Sequence, residues 1–214
     1  MKKIFTKAMA VVMLLSTGLT TVSCGSEEIK EIINTILPTL IENFLNGKTT
    51  VYTGNAAFER RWYGYQGENY VYFYADGDKH DYLEADGKGK SVVRVQNCSL
   101  TAKNQQVTIT FDPFTVGGVQ ISSLTIIADY VKDTETNTTF IKIGSDDQMY
   151  NYSLIRTYNG EAKAYDTATL QDYDNYYGTA VGTVKDNAVS IEAEVFIGEE
   201  SFVVKYTGTA QQNQ

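Results

Sequence analysis

Val189-Ser190-Ile191-Glu192-Ala193-Glu194-Val195 sets apolar and polar residues in strict alternation, and this period of two decides the fold class. Successive side chains of a β-strand point to opposite faces, so the stretch is a strand with one dry face and one wet face. The pattern runs on to Ile197 and recurs where Val107, Ile109 and Phe111 alternate with Thr108 and Thr110. Looser alternation marks Tyr70 to Ala75, Val92 to Gln96, Leu124 to Tyr130, Phe140 to Ile143, Tyr150 to Tyr158, Tyr177 to Val184 and Phe202 to Gly208. Asp76-Gly77, Asp86-Gly87 and Asn159-Gly160 are two-residue hairpin signals between such runs, and Asp186-Asn187 and Gly198-Glu199-Glu200 read as further tight reversals. About ten strands joined mostly by hairpins, with no crossover helix among them, predict an all-β antiparallel meander. Closing it into a barrel removes its exposed edges.

Upstream of Thr49 the period is helical. Ile29, Ile32, Ile33, Ile36, Leu37, Leu40, Ile41, Phe44 and Leu45 form one apolar stripe, and Asn46-Gly47 supplies a stop. Pro38 kinks this amphipathic helix without breaking the phase of the stripe, which is expected to pack on the domain that follows. Before the helix, Lys2, Lys3 and Lys7 precede the apolar run Ala8 to Leu15, the pattern of an export signal that is removed. The run is shorter than the roughly 20 residues that span a bilayer. Val22-Ser23-Cys24 resembles the lipobox of bacterial lipoproteins, in which the cysteine thiol carries a diacylglycerol. Ser26-Glu27-Glu28 resembles the acidic export tag that sends lipoproteins of the Bacteroidota to the outer face of the outer membrane. The same three residues suit a helix start, with Ser26 as N-cap and two acids in the first turn.

These signals divide the chain into a signal peptide (1–23), a lipidated tether with the helix (24–48), a β-barrel domain (49–209) and a short disordered tail (210–214). Loss of the signal leaves 15 cations against 26 acids, a net charge of −11, which disfavours nucleic acid and electrostatic adhesion to anionic lipid. The expected link to the membrane is therefore covalent, through Cys24. Once Cys24 is acylated, Cys98 has no disulfide partner, and the domain relies on its core.

The lipobox, the acidic tag, the amphipathic helix and a Tyr- and Thr-rich domain closing on Glu200-Ser201-Phe202-Val203-Val204-Lys205-Tyr206-Thr207-Gly208-Thr209 together resemble the calycin-like (lipocalin-like) β-barrel lipoproteins of the Bacteroidota. The resemblance spans roughly 49–209. It implies a barrel of about eight or more strands, with an interior either filled or just wide enough for one small ligand. No lipocalin-type Gly-x-Trp opens the first strand; Trp62, the single tryptophan, sits late in it behind Arg60 and Arg61.

Searching for chemistry finds no nucleophile elbow, phosphate loop or His-Glu-x-x-His, so no catalytic residue, metal ligand or cofactor is expected. Asp76-Gly77-Asp78-Lys79-His80-Asp81 has the oxygen density of a calcium loop but lacks the spaced acids and the closing Glu, and reads as a solvated turn. The positive signal is aromatic. Sixteen tyrosines accompany one tryptophan, and Tyr70, Tyr72 and Tyr74 alternate with Val71, Phe73 and Ala75, so three phenols share one face of a strand. Trp62, just upstream, is expected close to that face, and flat aromatic surfaces with a polar rim suit sugars or other amphipathic ligands. Two functions follow. The barrel holds a small apolar or amphipathic molecule inside or at its mouth, or its outer aromatic face binds a glycan or another surface protein.

Overall fold

The computed structural model describes residues 47–103, 106–142, 152–166 and 178–211. The export signal, Cys24, the Ser26-Glu27-Glu28 tag and the amphipathic helix lie outside the described residues. All described residues belong to the unit Asn46–Gln214.

Among the described residues, alternation produces thirteen strands where the sequence reading expects about ten: β1 (Thr49–Gln66), β2 (Asn69–Asp76), β3 (Lys79–Tyr82), β4 (Lys90–Lys103), β5 (Gln106–Phe111), β6 (Phe114–Val116), β7 (Val119–Asp133), β8 (Thr138–Lys142), β9 (Tyr152–Tyr158), β10 (Glu161–Asp166), β11 (Gly178–Lys185), β12 (Ala188–Ile197) and β13 (Glu200–Ala210). Eight of them pair antiparallel in a closed ring, β1–β4–β5–β7–β8–β11–β12–β13 and back to β1. Ring order follows chain order, so the barrel is a meander. The hairpin β2–β3 continues from the far end of β1, the hairpin β9–β10 pairs with the first half of β7, and β6 folds back on β7.

β4 and β7 run further than the alternation at Val92 to Gln96 and Leu124 to Tyr130 shows because bulges interrupt it, while β3, β6 and β10 lie outside the runs that alternation marks. Gly54 pairs with Gln96 but Ala56 pairs with Val93, so Arg94 and Val95 bulge from β4. The extra residue flips the phase of the strand: Val93 turns inward while Val92 and Val95 are each 74% exposed. A second shift between Ile121 and Ser123 of β7 lets Ile121 and Leu124 both point inward, three residues apart, which hides the start of that strand from a period-two reading. Turn positions also need correction. The β2–β3 reversal centres on Gly77-Asp78, one residue later than Asp76-Gly77, because Asp76 pairs with Lys79. Asp86-Gly87 joins no hairpin, since among the described residues β3 pairs only with β2, and β4 pairs with β1 and β5. Asn159-Gly160 is the expected two-residue turn, with both residues at positive φ and Tyr158 facing Glu161.

Inward positions fill the ring. Phe58, Ile109, Phe111, Leu124, Ile126, Leu154, Ile191, Phe202, Val204 and Tyr206 are all 2% exposed or less and form one apolar cluster, in which Phe58 stacks on Phe114 with centroids 3.8 Å apart. Outward positions are Thr53 and Asn55 on β1, Thr108 and Thr110 on β5, Ser190 and Glu192 on β12, and Lys205 and Thr207 on β13. Ile127 and Val131 on β7, Phe140 on β8 and Val181 on β11 also point outward and are 37 to 69% exposed, so the outer wall mixes polar and apolar positions.

Candidate functional site

The end of the barrel where β1 meets β2 carries two distinct clusters, one on each face of the same ribbon. On the inner face Arg60, 7% exposed, reaches across the mouth. Its Nε donates to Glu200 Oε1 at 2.5 Å, and its Nη1 donates to the carbonyls of Gly77 at 2.8 Å and Gly117 at 2.7 Å. Arg156 of β9 donates to the other oxygen of Glu200. Two strands of the ring, the β9–β10 hairpin and two turns are thereby tied to one buried carboxylate. A paired, hydrogen-bonded charge of this kind is a lock for the fold. Trp62 and His80 stack on this same inner-facing side, 4.5 Å apart. Tyr158 donates its hydroxyl to Asp78, which places one acid of the Asp76–Asp81 stretch in a contact within the chain. Among the described residues no group of three or more His, Cys, Asp or Glu is arranged to hold a metal ion.

The outer face carries the tyrosines. Because Arg61, Tyr63 and Tyr65 pair with Tyr74, Tyr72 and Tyr70, the aromatic face spans both strands. Tyr63 lies 6.0 Å from Tyr70, 5.9 Å from Tyr72 and 5.4 Å from Phe196. Tyr65 meets Tyr70 edge-on at 5.2 Å, and Tyr72 meets Tyr74 edge-on at 5.6 Å. Accessibility rises along the ladder: Tyr74 is 7% exposed, Tyr72 37%, Tyr70 59% and Tyr65 74%. Cations cover the inner end, with the Arg61 guanidinium 4.2 Å above Tyr72 and Lys90 Nζ 4.8 Å above Tyr74. The uncovered rings are therefore Tyr65 and Tyr70.

Trp62 does not join them. It pairs with Phe73, which puts both on the opposite face from Tyr70, Tyr72 and Tyr74. Parity carries this signal in the sequence, since partners across a two-residue hairpin have numbers of opposite parity and share a face. Even-numbered tyrosines on one strand thus face odd-numbered neighbours on the other, namely Tyr63 and Tyr65.

A belt of paired charges lies below the ladder. Arg61 donates from Nε and Nη2 to Glu59 Oε2 at 2.9 and 2.5 Å and lies 3.7 Å from Glu194, while Lys90 lies 4.0 Å from Glu59. Burial works against the Arg61 charge, but Glu59 outweighs it through hydrogen bonding and attraction and holds the guanidinium protonated above its ordinary range. Tyr63 donates its hydroxyl to Glu194 at 3.0 Å; burial first, then this carboxylate, push the phenol up to about 12. Tyr72 is raised by its hydrogen bond with Tyr74 and by partial burial. Tyr63 and Tyr72 are therefore neutral hydroxyls at physiological pH.

Fold and site define a class: a closed antiparallel barrel with an apolar, filled interior, an outer wall of mixed polar and apolar residues, and an aromatic face on that wall. No protein-family model matches the chain, and no curated protein matches it. A solved structure of Ail, the attachment invasion locus protein of Yersinia pestis, aligns over 77% of this chain and 97% of that one at 7% identity and a TM-score of 0.32, a likeness too slight to support an argument about either fold or function.

Proposed function

We propose that the protein is a non-enzymatic carbohydrate-binding module whose recognition surface is the outer tyrosine face, and that the calycin-like barrel is its rigid mount. The observation that carries this reading is the pair Tyr65 and Tyr70, whose rings stay largely uncovered while the inward side chains of the ring bury one another almost completely. Sugar rings offer C–H faces to an aromatic plane and hydroxyls to its rim, and here the phenol hydroxyls of the exposed Tyr65 and Tyr70 supply polar groups beside the rings. The same packing leaves an internal apolar ligand little space, which favours the outer face over the interior. Cys24 anchors the module to the outer membrane through a diacylglycerol, and Ser26-Glu27-Glu28 turns it to the cell exterior.

Two variants test the reading. Tyr65→Ala with Tyr70→Ala is expected to abolish retention on a glycan array while leaving the denaturation midpoint within the range of surface substitutions, about 0.5 kcal/mol. Retention unchanged in that double variant places recognition elsewhere. Cys24→Ser is expected to release the protein from membranes and to lose incorporated radioactive fatty acid.

A further inference from the structure

The outer face of β1 does not end at the tyrosines. Residues 53, 55, 57, 59, 61, 63 and 65 share it, so a straight path from Tyr65 to Thr53 covers roughly 40 Å at about 3.3 Å per residue. Beyond the charge belt the wall is indented. Three concavities of about 530, 420 and 320 Å³ open on the outer surface between β4 and β8, across β1, β13, β12 and β11, and all three are lined in part by Ser190. Neighbours approach closely on the inner side there, where the inward positions hold Gly54, Gly182 and Gly208. A Cβ on Gly54 would lie 2.0 Å from the Thr207 carbonyl oxygen, and one on Gly182 would lie 2.7 Å from that of Ser190. No side chain can be added at either place without moving backbone.

From this geometry we infer that the ligand is an extended neutral polysaccharide, which stacks on Tyr65 and Tyr70 and runs along the outer wall into the groove around Ser190. The inference rests on the carbohydrate reading of the tyrosine face and gives that ligand its length and charge. Length follows from the continuous outer face that joins platform to groove. Neutrality follows from the belt the path crosses, whose charges are already matched, Arg61 with Glu59 and Glu194, Lys90 with Glu59, and Lys205 with Glu192 at 3.2 Å. It follows also from the acidic net charge of the chain, which opposes a polyanion even though Lys185 and Lys142, lining two of the concavities, have no ion pair among the described residues. An anionic chain would have to displace these carboxylates from their cations, whereas hydroxyls bond to the pairs as they stand. Groove chemistry suits hydroxyl-rich chains, since Thr53, Asn55, Thr183, Ser190 and Thr207 offer hydroxyls, one amide and threonine methyls, and Lys185 adds one ammonium donor.

Affinity gel electrophoresis of the full chain tests this with dextran, laminarin and xyloglucan as neutral probes and alginate as the anionic one. Calorimetry then compares a two-unit and a six-unit oligosaccharide of whichever neutral polymer retards the protein. Ser190→Trp, and independently the exposed Thr207→Arg, should weaken binding of the six-unit oligosaccharide at least tenfold and leave the two-unit one unchanged. Tyr65→Ala with Tyr70→Ala should abolish both. Circular dichroism identifies any variant that fails to fold, and the other groove variant then decides. Retardation by alginate alone overturns neutrality, and unchanged six-unit binding in a folded groove variant overturns the path while leaving the tyrosine platform standing. Absence of retardation by every polysaccharide overturns the carbohydrate reading itself.

Discussion

Cys98 illustrates how far a single residue is governed by its surroundings. It is fully buried on the inward face of β4, and burial, with a smaller contribution from Asp112, pushes its thiol from 9.0 up to about 12. Since the thiolate is the reactive form, Cys98 in the native protein should resist alkylation by iodoacetamide at pH 8 and react only once urea unfolds the domain. Tyr63 behaves alike, raised from 10.0 to about 12. Raised values mean that folding favours the protonated forms. The stability they contribute is therefore complete below pH 9 for the thiol and below pH 10 for the phenol, and it disappears as pH climbs through 12. A titration followed at the tyrosinate absorbance should show a late group that Tyr63→Phe removes, and midpoints of urea denaturation should fall between pH 10 and 12. Ready labelling of Cys98 in native Cys24→Ser protein would contradict the packing around it.

At the scale of elements, turns and close approaches set different demands on glycine. Gly160 has φ +82 at the tip of the β9–β10 hairpin, and the space a Cβ would take there is open, with nothing within 4 Å. Gly160→Ala therefore meets only backbone strain, and thermal denaturation should register about 1 kcal/mol. Gly54 presents the opposite case, an extended residue whose missing side chain lets β1 lie against β13. Gly54→Ala should cost clearly more than Gly160→Ala, because the Thr207 carbonyl must move and with it the pairing of both strands. Equal costs would mean that the β1–β13 register is looser than the steric contact demands. Both glycines occur in runs that read as strand or turn, yet only the Asn159-Gly160 turn declares its reason in sequence. The role of Gly54 depends on Thr207 and Gly208, at the far end of the chain.

For the whole molecule, the decisive contact is Arg60 with Glu200, joined across 140 positions and extended to Arg156 and the turns at Gly77 and Gly117. Arg60→Met leaves two carbonyls without their donor and the Glu200 carboxylate with one cation in place of two. Urea denaturation should show a loss of about 3 kcal/mol or more with an unchanged slope, since one residue supports several parts of a single cooperative ring. A loss below about 1 kcal/mol would reduce the cluster to an ordinary ion pair. Period-two alternation by itself determined the all-β class, the wet and dry faces of β5 and β12, the turns at Asn159-Gly160 and Asp186-Asn187, and the common face of Tyr70, Tyr72 and Tyr74, because each is set by neighbours within a few positions. Tertiary structure alone decided where the ring closes, which hairpins stand off it and where the bulges in β4 and β7 reverse the phase. Those outcomes depend on register between strands distant in sequence, and register is fixed only when the closed ring packs its inward side chains against one another.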